Sequence, residues 1–312
     1  MIGKRNKIMT NEVLHTSDEV NLRELFAAIW QGKWLVIIIT TLFVALSVIY
    51  ALSMPNIYKS EVLLAPVSEE SGLKVPGQLG GLAALAGVNI GSKSGDKTSL
   101  ALEIIKSRDF LGRFIEQNNL LVPVMAAKGW SQSDDSLIID PEIYDVVGEQ
   151  WVRVAQPPYK AKPSLLEAHE KFLELLTIAK DKESGMVKIS IEYVSPYSAQ
   201  QWVSSLVKAI NNEMRQRELT EAQNSISYLS KQLEVTNIAD VRAMLFSLIE
   251  EQTKTVMLAN VRQEYVFKTV DPAVVAEKKS KPARALMVIL SAMLGAILSV
   301  LIVLVRYFSN KI

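Results

Sequence analysis

The sequence predicts an α/β membrane protein, with two transmembrane helices flanking an external α/β base domain that carries a long protruding helical hairpin. Three observations predict it. Trp34–Met54 (WLVIIITTLFVALSVIYALSM) and Ala285–Val305 (ALMVILSAMLGAILSVLIVLV) are uncharged runs of 21 residues near the two ends of the chain. At about 1.5 Å rise per residue, each spans roughly 30 Å, the thickness of a hydrocarbon core. Between them, alternating strand-like stretches mix with amphipathic helical ones. Finally, the apolar pattern after Ser195-Pro196 continues to about residue 235, far beyond a usual globular helix.

The first run starts too late and is too long to be a cleaved leader, and no small-x-small site precedes Pro55. Two spans place both termini on one side. Lys4, Arg5, Lys7, Arg23 and Lys33 precede the first span and only Lys59 closely follows it, which votes for a cytoplasmic N-terminus. The second span votes the other way. Lys278, Lys279, Lys281 and Arg284 stand before it, against Arg306 and Lys311 after it. The first helix usually dominates and long loops translocate regardless of charge, so residues 1–33 and 306–312 are assigned to the cytoplasm and 55–284 to the outside. The cations of EKKSKPAR (277–284) then sit on the external mouth, where they can snorkel to lipid phosphates. Residues 55–284 carry 27 Lys/Arg and 29 Asp/Glu, so neither nucleic acid nor an acidic substrate is implied. Cysteine is absent, which excludes thiol catalysis and disulfides.

Along the chain, residues 1–16 read as disordered. Asn21 with Glu24 three residues on forms a helix-start signature, and Val20 with Leu25 a hydrophobic staple. An interfacial helix follows, with Trp30 and Trp34 at belt positions. Ile57–Pro66 is a strand candidate, Gly77–Gly95 a Gly- and Ala-rich packed loop with a short helix, and Thr98–Asn118 one amphipathic helix. A Pro-punctuated stretch runs to Pro163, followed by a helix over Ser164–Leu176. Met186–Val194 alternates like a strand with one buried face, and Leu176–Lys180 is its expected partner across Lys182-Glu183-Ser184-Gly185. The long helix covers 197–235, interrupted by the polar patch Arg215-Gln216-Arg217-Glu218. A second helix over Asp240–Arg262 and a strand over Glu264–Val270 complete the domain. The early and late strands are expected to pair. A helix roughly 55–60 Å long with an intermittent stripe needs neighbouring protomers to cover it.

Catalytic chemistry is not indicated. Gly87–Ser94 approximates a phosphate loop, but Ser92 stands where the second Gly must be. His15 and His169 are the only histidines, with no metal-ligand spacing, and His169 reads as a surface residue. Asp134, Asp135 and Asp140 read as solvated turn residues, and no Gly-x-Ser-x-Gly elbow is present. No catalytic, cofactor or metal residue is therefore assigned. The informative residues lie at the second span: Ser291, Gly295 and Ser299 form a small-xxx-small face that lets another helix approach closely.

Residues 21–34 (NLREL…KW), 55–66 (PNIYKSEVLLAP), 80–87 (GGLAALAG) and 100–115 (LALEIIKSRDFLGRFI) resemble the Wzz domain of polysaccharide co-polymerases. Asp271-Pro272, Lys281-Pro282 and Gly295 are similar to that family's Pro-rich, Gly-containing C-terminal motif, with Ser299 where a second helical glycine is usual and fewer prolines than usual. The resemblance implies a bacterial inner-membrane protein with a periplasmic domain, non-enzymatic, without cofactor, and forming a homo-oligomeric ring. It implies control of the chain length of lipopolysaccharide O-antigen or a related glycan, with a Wzy-type polymerase, a lipid-linked glycan and membrane lipids as partners. Pro272, Lys281, Pro282, Arg284, Ser291, Gly295 and Ser299 are the junction and helix-packing candidates. EKKSKPAR would be a periplasmic collar meeting lipid phosphate or the diphosphate of a lipid-linked glycan. Two alternatives stay open: an export-type adaptor for capsule or exopolysaccharide, and the membrane half of a split tyrosine autokinase. With seven residues after the second span, a kinase is expected to be a separate protein.

Overall fold

A computed structural model describes residues 30–67 and 93–309, and the contacts divide the chain into two units. One joins the two ends of the chain, Met1–Met54 with Ala283–Ile312; the other is Pro55–Pro282. Most of the expected interfacial helix and most of the Gly-rich segment lie outside the described residues.

In the terminal unit, α1 (Lys33–Ser53) and α8 (Arg284–Ser309) are each long and apolar enough to cross a membrane. Their large side chains are exposed nearly all round, Ile38, Leu46, Ile49, Leu290, Leu294 and Leu301 among them. Such a surface is a liability in water and ordinary in lipid.

The middle unit is built on a four-stranded sheet of order β6-β7-β1-β8: β1 (Tyr58–Pro66), β6 (Leu176–Lys180), β7 (Val187–Tyr193) and β8 (Phe267–Asp271). All pairings are antiparallel. The early and late strands do pair, β1 with β8, across a register shift at Leu63/Leu64. The β6–β7 hairpin turns on Asp181, whose Oδ1 accepts from the Glu183 and Ser184 N–H groups, both at 2.8 Å, while Gly185 takes φ +70°. A residue with a Cβ is strained at that angle, so glycine is the suitable residue.

Alternation decides which face is buried. Val62 and Leu64 of β1 and Val187, Ile189, Ile191 and Tyr193 of β7 enter the core. Helices cover that face: α2 (Lys93–Lys106), α3 (Arg108–Gln117), α5 (Leu165–Leu175) and the first half of α6 (Pro196–Val235), with Phe110, Phe114, Phe172, Trp202, Val203 and Leu206 buried. Between α3 and α5 lie a short helix, α4 (Leu121–Ala126), and two small hairpins, β2–β3 (Ala127–Ser131, Ser136–Ile139) and β4–β5 (Tyr144–Asp145, Gln150–Trp151). The second long helix, α7 (Ala239–Val261), packs back along α6.

Several boundaries follow from caps. Ser164 and Glu167 satisfy one another's backbone N–H groups in a capping box that opens α5. Ser195 accepts from the Ser198 N–H, and Pro196 opens α6, where a missing N–H costs nothing. At 40 residues, α6 is about 60 Å long. Its last carbonyls, Leu233 and Thr236, accept from the Arg242 guanidinium on α7, which closes the turn.

Two expectations are corrected. The single helix over Thr98–Asn118 is broken at Ser107, which adopts an extended conformation and caps α3 by accepting from the Phe110 N–H. Local capping wins over continuous amphipathicity there. His169 is not a surface residue but 7% exposed, with Nε2 2.9 Å from the Lys106 carbonyl at the end of α2.

The polar patch of α6 has a use. Glu213 pairs with Arg113 of α3 (3.1 Å) and with Arg217 (2.7 Å), and Glu218 with Lys97 of α2 (2.9 Å). These pairs fasten α2 and α3 to α6 where the apolar stripe runs out. Nearer the sheet, Asn211 is 4% exposed. Its Oδ1 accepts from the Tyr265, Val266 and Phe267 N–H groups at 2.8–3.0 Å, and its Nδ2 donates to the Phe267 carbonyl at 3.0 Å. One helix side chain thus receives the strand returning from α7.

Replacing Asn211 with Leu keeps the volume and strips four hydrogen bonds from buried or half-buried backbone. A loss of about 3 kcal/mol or more is expected, read as a lower melting temperature and faster proteolysis near residue 265. A second outcome concerns pH. The Arg113 hydrogen bond, opposed by burial and aided by Arg217, lowers the Glu213 pKa below the ordinary carboxylate value. A depressed acid contributes stability that is present above its unfolded pKa, about 4.3, and is lost as pH falls through the folded value. Glu213→Gln should therefore lower the melting temperature at neutral pH, and the gap to wild type should close in acid below pH ~4.

Candidate functional site

The candidate residues fall into two groups, one on each side of the unit boundary. In the middle unit, the segment after β8 is an extended strap. Pro272 is exposed at its start. Ala273 is buried and its carbonyl accepts from Gln200 Nε2 at 3.2 Å; the Val274 carbonyl accepts from Ser60 Oγ at 2.8 Å. At its far end, Ile57 and Lys281 form an isolated antiparallel bridge, the Ile57 N–H donating to the Lys281 carbonyl at 3.0 Å. The Lys281 ammonium pairs with Glu192 of β7, and Lys279 Nζ lies 3.4 Å from Asn56 Oδ1. Pro282 follows in a cis peptide. The collar is thus partly spent on intramolecular partners, a pairing the local sequence did not disclose because Glu192 is 89 residues away.

In the terminal unit, Arg284 opens α8 and its Nη2 donates to the Met54 carbonyl at 3.3 Å, the C-cap of α1. A cation there satisfies an orphan carbonyl and meets the negative end of the α1 dipole. Below it, Ser291, Gly295 and Ser299 line one face of α8, and that face is packed against α1. Ser291 Oγ donates to the Phe43 carbonyl at 3.0 Å and Ser47 Oγ approaches the Met287 carbonyl at 3.4 Å. Gly295 and Ser299 are buried, and Ser299 Oγ donates to its own helix at Ala296 O. A Cβ on Gly295 would lie 2.9 Å from Phe43 Cβ and 3.3 Å from Thr40 Cα; one on Gly32 would lie 2.5 Å from a Val303 methyl. Ser47–Met287, Phe43–Ser291, Thr40–Gly295 and Gly32–Val303 form an antiparallel ladder along both helices. Sequence spacing found the α8 face. It did not find Gly32, Thr40, Phe43 and Ser47, whose stripe on α1 contains the bulky Phe43 and so does not read as small-xxx-small.

What this arrangement offers is scaffolding. Among the described residues, no group of three or more His, Cys, Asp or Glu is placed to hold a metal ion.

A two-span membrane protein with an α/β segment between its spans is the class these features define. Residues 18–118 match the family model described as "Wzz: Chain length determinant protein", and residues 228–308 match that described as "GNVR: G-rich domain on putative tyrosine kinase". The chain thus carries a Wzz chain length determinant domain over residues 18–118 and a GNVR domain over residues 228–308. Among solved structures, a full-length bacterial polysaccharide co-polymerase is similar over 93% of this chain and 99% of its own, at 14% identity and a TM-score of 0.40. A fragment of WzzB, a polysaccharide co-polymerase from Salmonella Typhimurium, is similar over 72% of this chain and 100% of its own, at 12% identity and a TM-score of 0.33. No curated protein sequence matches the chain.

The Gly295 geometry yields a graded expectation. Gly295→Leu should separate the two helices, whereas Ala296→Leu, on the half-open flank, should be tolerated. Because the chain has no cysteine, the paired replacement of Ser47 and Met287 by cysteine gives a clean crosslink between the spans. Crosslinking should survive Ala296→Leu and fall strongly with Gly295→Leu.

Proposed function

We propose that the protein sets the chain length of a polysaccharide made by a separate membrane polymerase, the O-antigen of lipopolysaccharide or a related Wzy-dependent glycan, without itself making glycosidic bonds. Both termini are cytoplasmic and residues 55–284 lie in the periplasm of a bacterial inner membrane. The observation that carries the reading is the match of residues 18–118 to a chain length determinant model, on a segment that contains the first span, β1, α2 and α3.

The working form is a homo-oligomer. Beyond Met214, α6 leaves the sheet and buries little besides Ala222, and among the described residues the distal hairpin is covered mainly by α7. Phe246, Met257 and Val261 on one flank of α7, with Met244 and Leu248 on the other, stay exposed. Two helices cannot bury more than one stripe each, and neighbouring copies in a ring are the natural cover. Lys281 holds the strap to β7 through Glu192, Arg284 holds the start of the second span to the Met54 carbonyl, and Ser291, Gly295 and Ser299 line the face packed on the first span.

The match of residues 228–308 supports a second reading, the membrane half of a split tyrosine autokinase, and an export-type adaptor stays beside it. One strain separates the two. Deleting the gene should turn a modal cluster of polysaccharide lengths into a graded ladder while polymerisation persists. A strain that makes no polymer favours the export reading and ends the length-control one. In the same background, alkaline phosphatase fused at about residue 130 should be active and a C-terminal fusion inactive.

A further inference from the structure

We propose that the β2–β3 hairpin and the aromatic cluster behind it form a docking surface for phospholipid headgroups. The proposal uses the two spans but not the side on which the middle unit lies.

Covalent geometry supplies the first step. Tyr58 is four residues after Met54, and Lys281 is three before Arg284. At about 3.5 Å per extended residue, these positions cannot stray more than roughly 14 and 11 Å from the ends of the spans. The headgroup layer is itself about 6 Å thick on each side. The Ile57–Lys281 bridge makes both connections leave from one end of the sheet, where Tyr58 pairs with Tyr193 and Ser195 opens α6.

The second step is what is found at that end. Trp130 of β2 stands edge-on to Tyr58, centroids 5.7 Å apart, and 6.1 Å from Tyr197 on the first turn of α6. Tyr197 is 50% exposed, and Trp130 and Tyr58 are half-buried. Trp130 Nε1 donates to Asp135 Oδ1 at 2.8 Å, so its polar edge is turned to the hairpin tip. Lys278 and Lys279 are exposed on the strap. Amphipathic aromatics with flanking lysines are the composition that settles at headgroup depth.

The acidic groups set the chemistry of the surface. Glu192 is matched by Lys281, and Asp134 accepts from Ser133 and Ser136. With Asp134, Asp135 and Glu277 offsetting the lysines, net attraction to anionic lipid is weak. The aromatic edges therefore carry the docking, and zwitterionic headgroups suffice.

The test uses the full chain in nanodiscs. Ser133→Cys, Lys278→Cys and Lys231→Cys each give a unique thiol for bimane, read against lipid carrying a nitroxide on its headgroup. Quenching should rise at least about twofold at 133 and 278 over unlabelled lipid, with no change at 231 on distal α6. Label 133 behaving like label 231 would overturn the proposal. So would a signal at 133 that ignores lipid and responds instead to added oligosaccharide or to protein concentration, which would assign the aromatics to a glycan or to a second copy. A topology opposite to that proposed would leave the lipid result unchanged, so the two ideas fail separately.

Discussion

The fold rests on closing one very long loop. The strand that follows the first span and the strap that precedes the second are held together by β1–β8 pairing, by Ser60 Oγ on the Val274 carbonyl 214 residues away, and by the Ile57–Lys281 bridge. Closing a flexible loop of that length costs about 5 kcal/mol. Hydrogen bonds worth roughly 1 kcal/mol each do not offset that alone. The offset comes from the core beneath β1 and β7, where Leu64, Ile189, Ile191, Val203 and Leu206 are fully buried. β1 is therefore the keystone: it pairs on both edges, and its inner face fills the core.

The same accounting explains the form of the long helix. Over its first half, α6 lies on the sheet and is apolar at Trp202, Val203, Leu206, Val207, Ile210 and Met214. Asn211 interrupts that stripe at the one place where a returning strand needs an acceptor. Past Met214 the polar patch begins, and ion pairs to α2 and α3 replace apolar contact. Partly exposed pairs contribute little individually, so Arg113–Glu213–Arg217 acts mainly as alignment. The change from apolar to ionic contact marks where the helix leaves the body of the unit.

How much of this was legible follows from the range of the signals. The spans, the β6–β7 hairpin and the ends of α5 and α6 were readable because their causes are local: uncharged length, alternation, Asp181-to-Gly185 turn chemistry, Ser164 and Ser195 caps. The break at Ser107 was misread because a serine inside an amphipathic pattern is neutral until its side chain caps. His169 was placed outside because its partner, the Lys106 carbonyl, is 63 residues away. The short hairpins between residues 127 and 151 were hidden among prolines and polar residues, with two-residue strands too brief to show a period. At the candidate site, spacing supplied the α8 stripe and the collar but not their partners, Phe43, Thr40, Glu192 and the Met54 carbonyl.

That missing partner alters the meaning of the small-residue face. In lipid there is no hydrophobic gain in bringing helices together, so close packing at small residues supplies the attraction. A stripe such as Ser291, Gly295 and Ser299 serves equally well for a neighbour's helix or for the chain's own. Connectivity breaks the tie. The two connections of this chain are bridged at Ile57 and Lys281, which keeps its spans at an effective concentration of order millimolar or higher toward one another. Phe43 and Thr40 then fill the Gly295 notch first. In the proposed oligomer, contacts between protomers fall on other surfaces, such as the exposed flanks of α7.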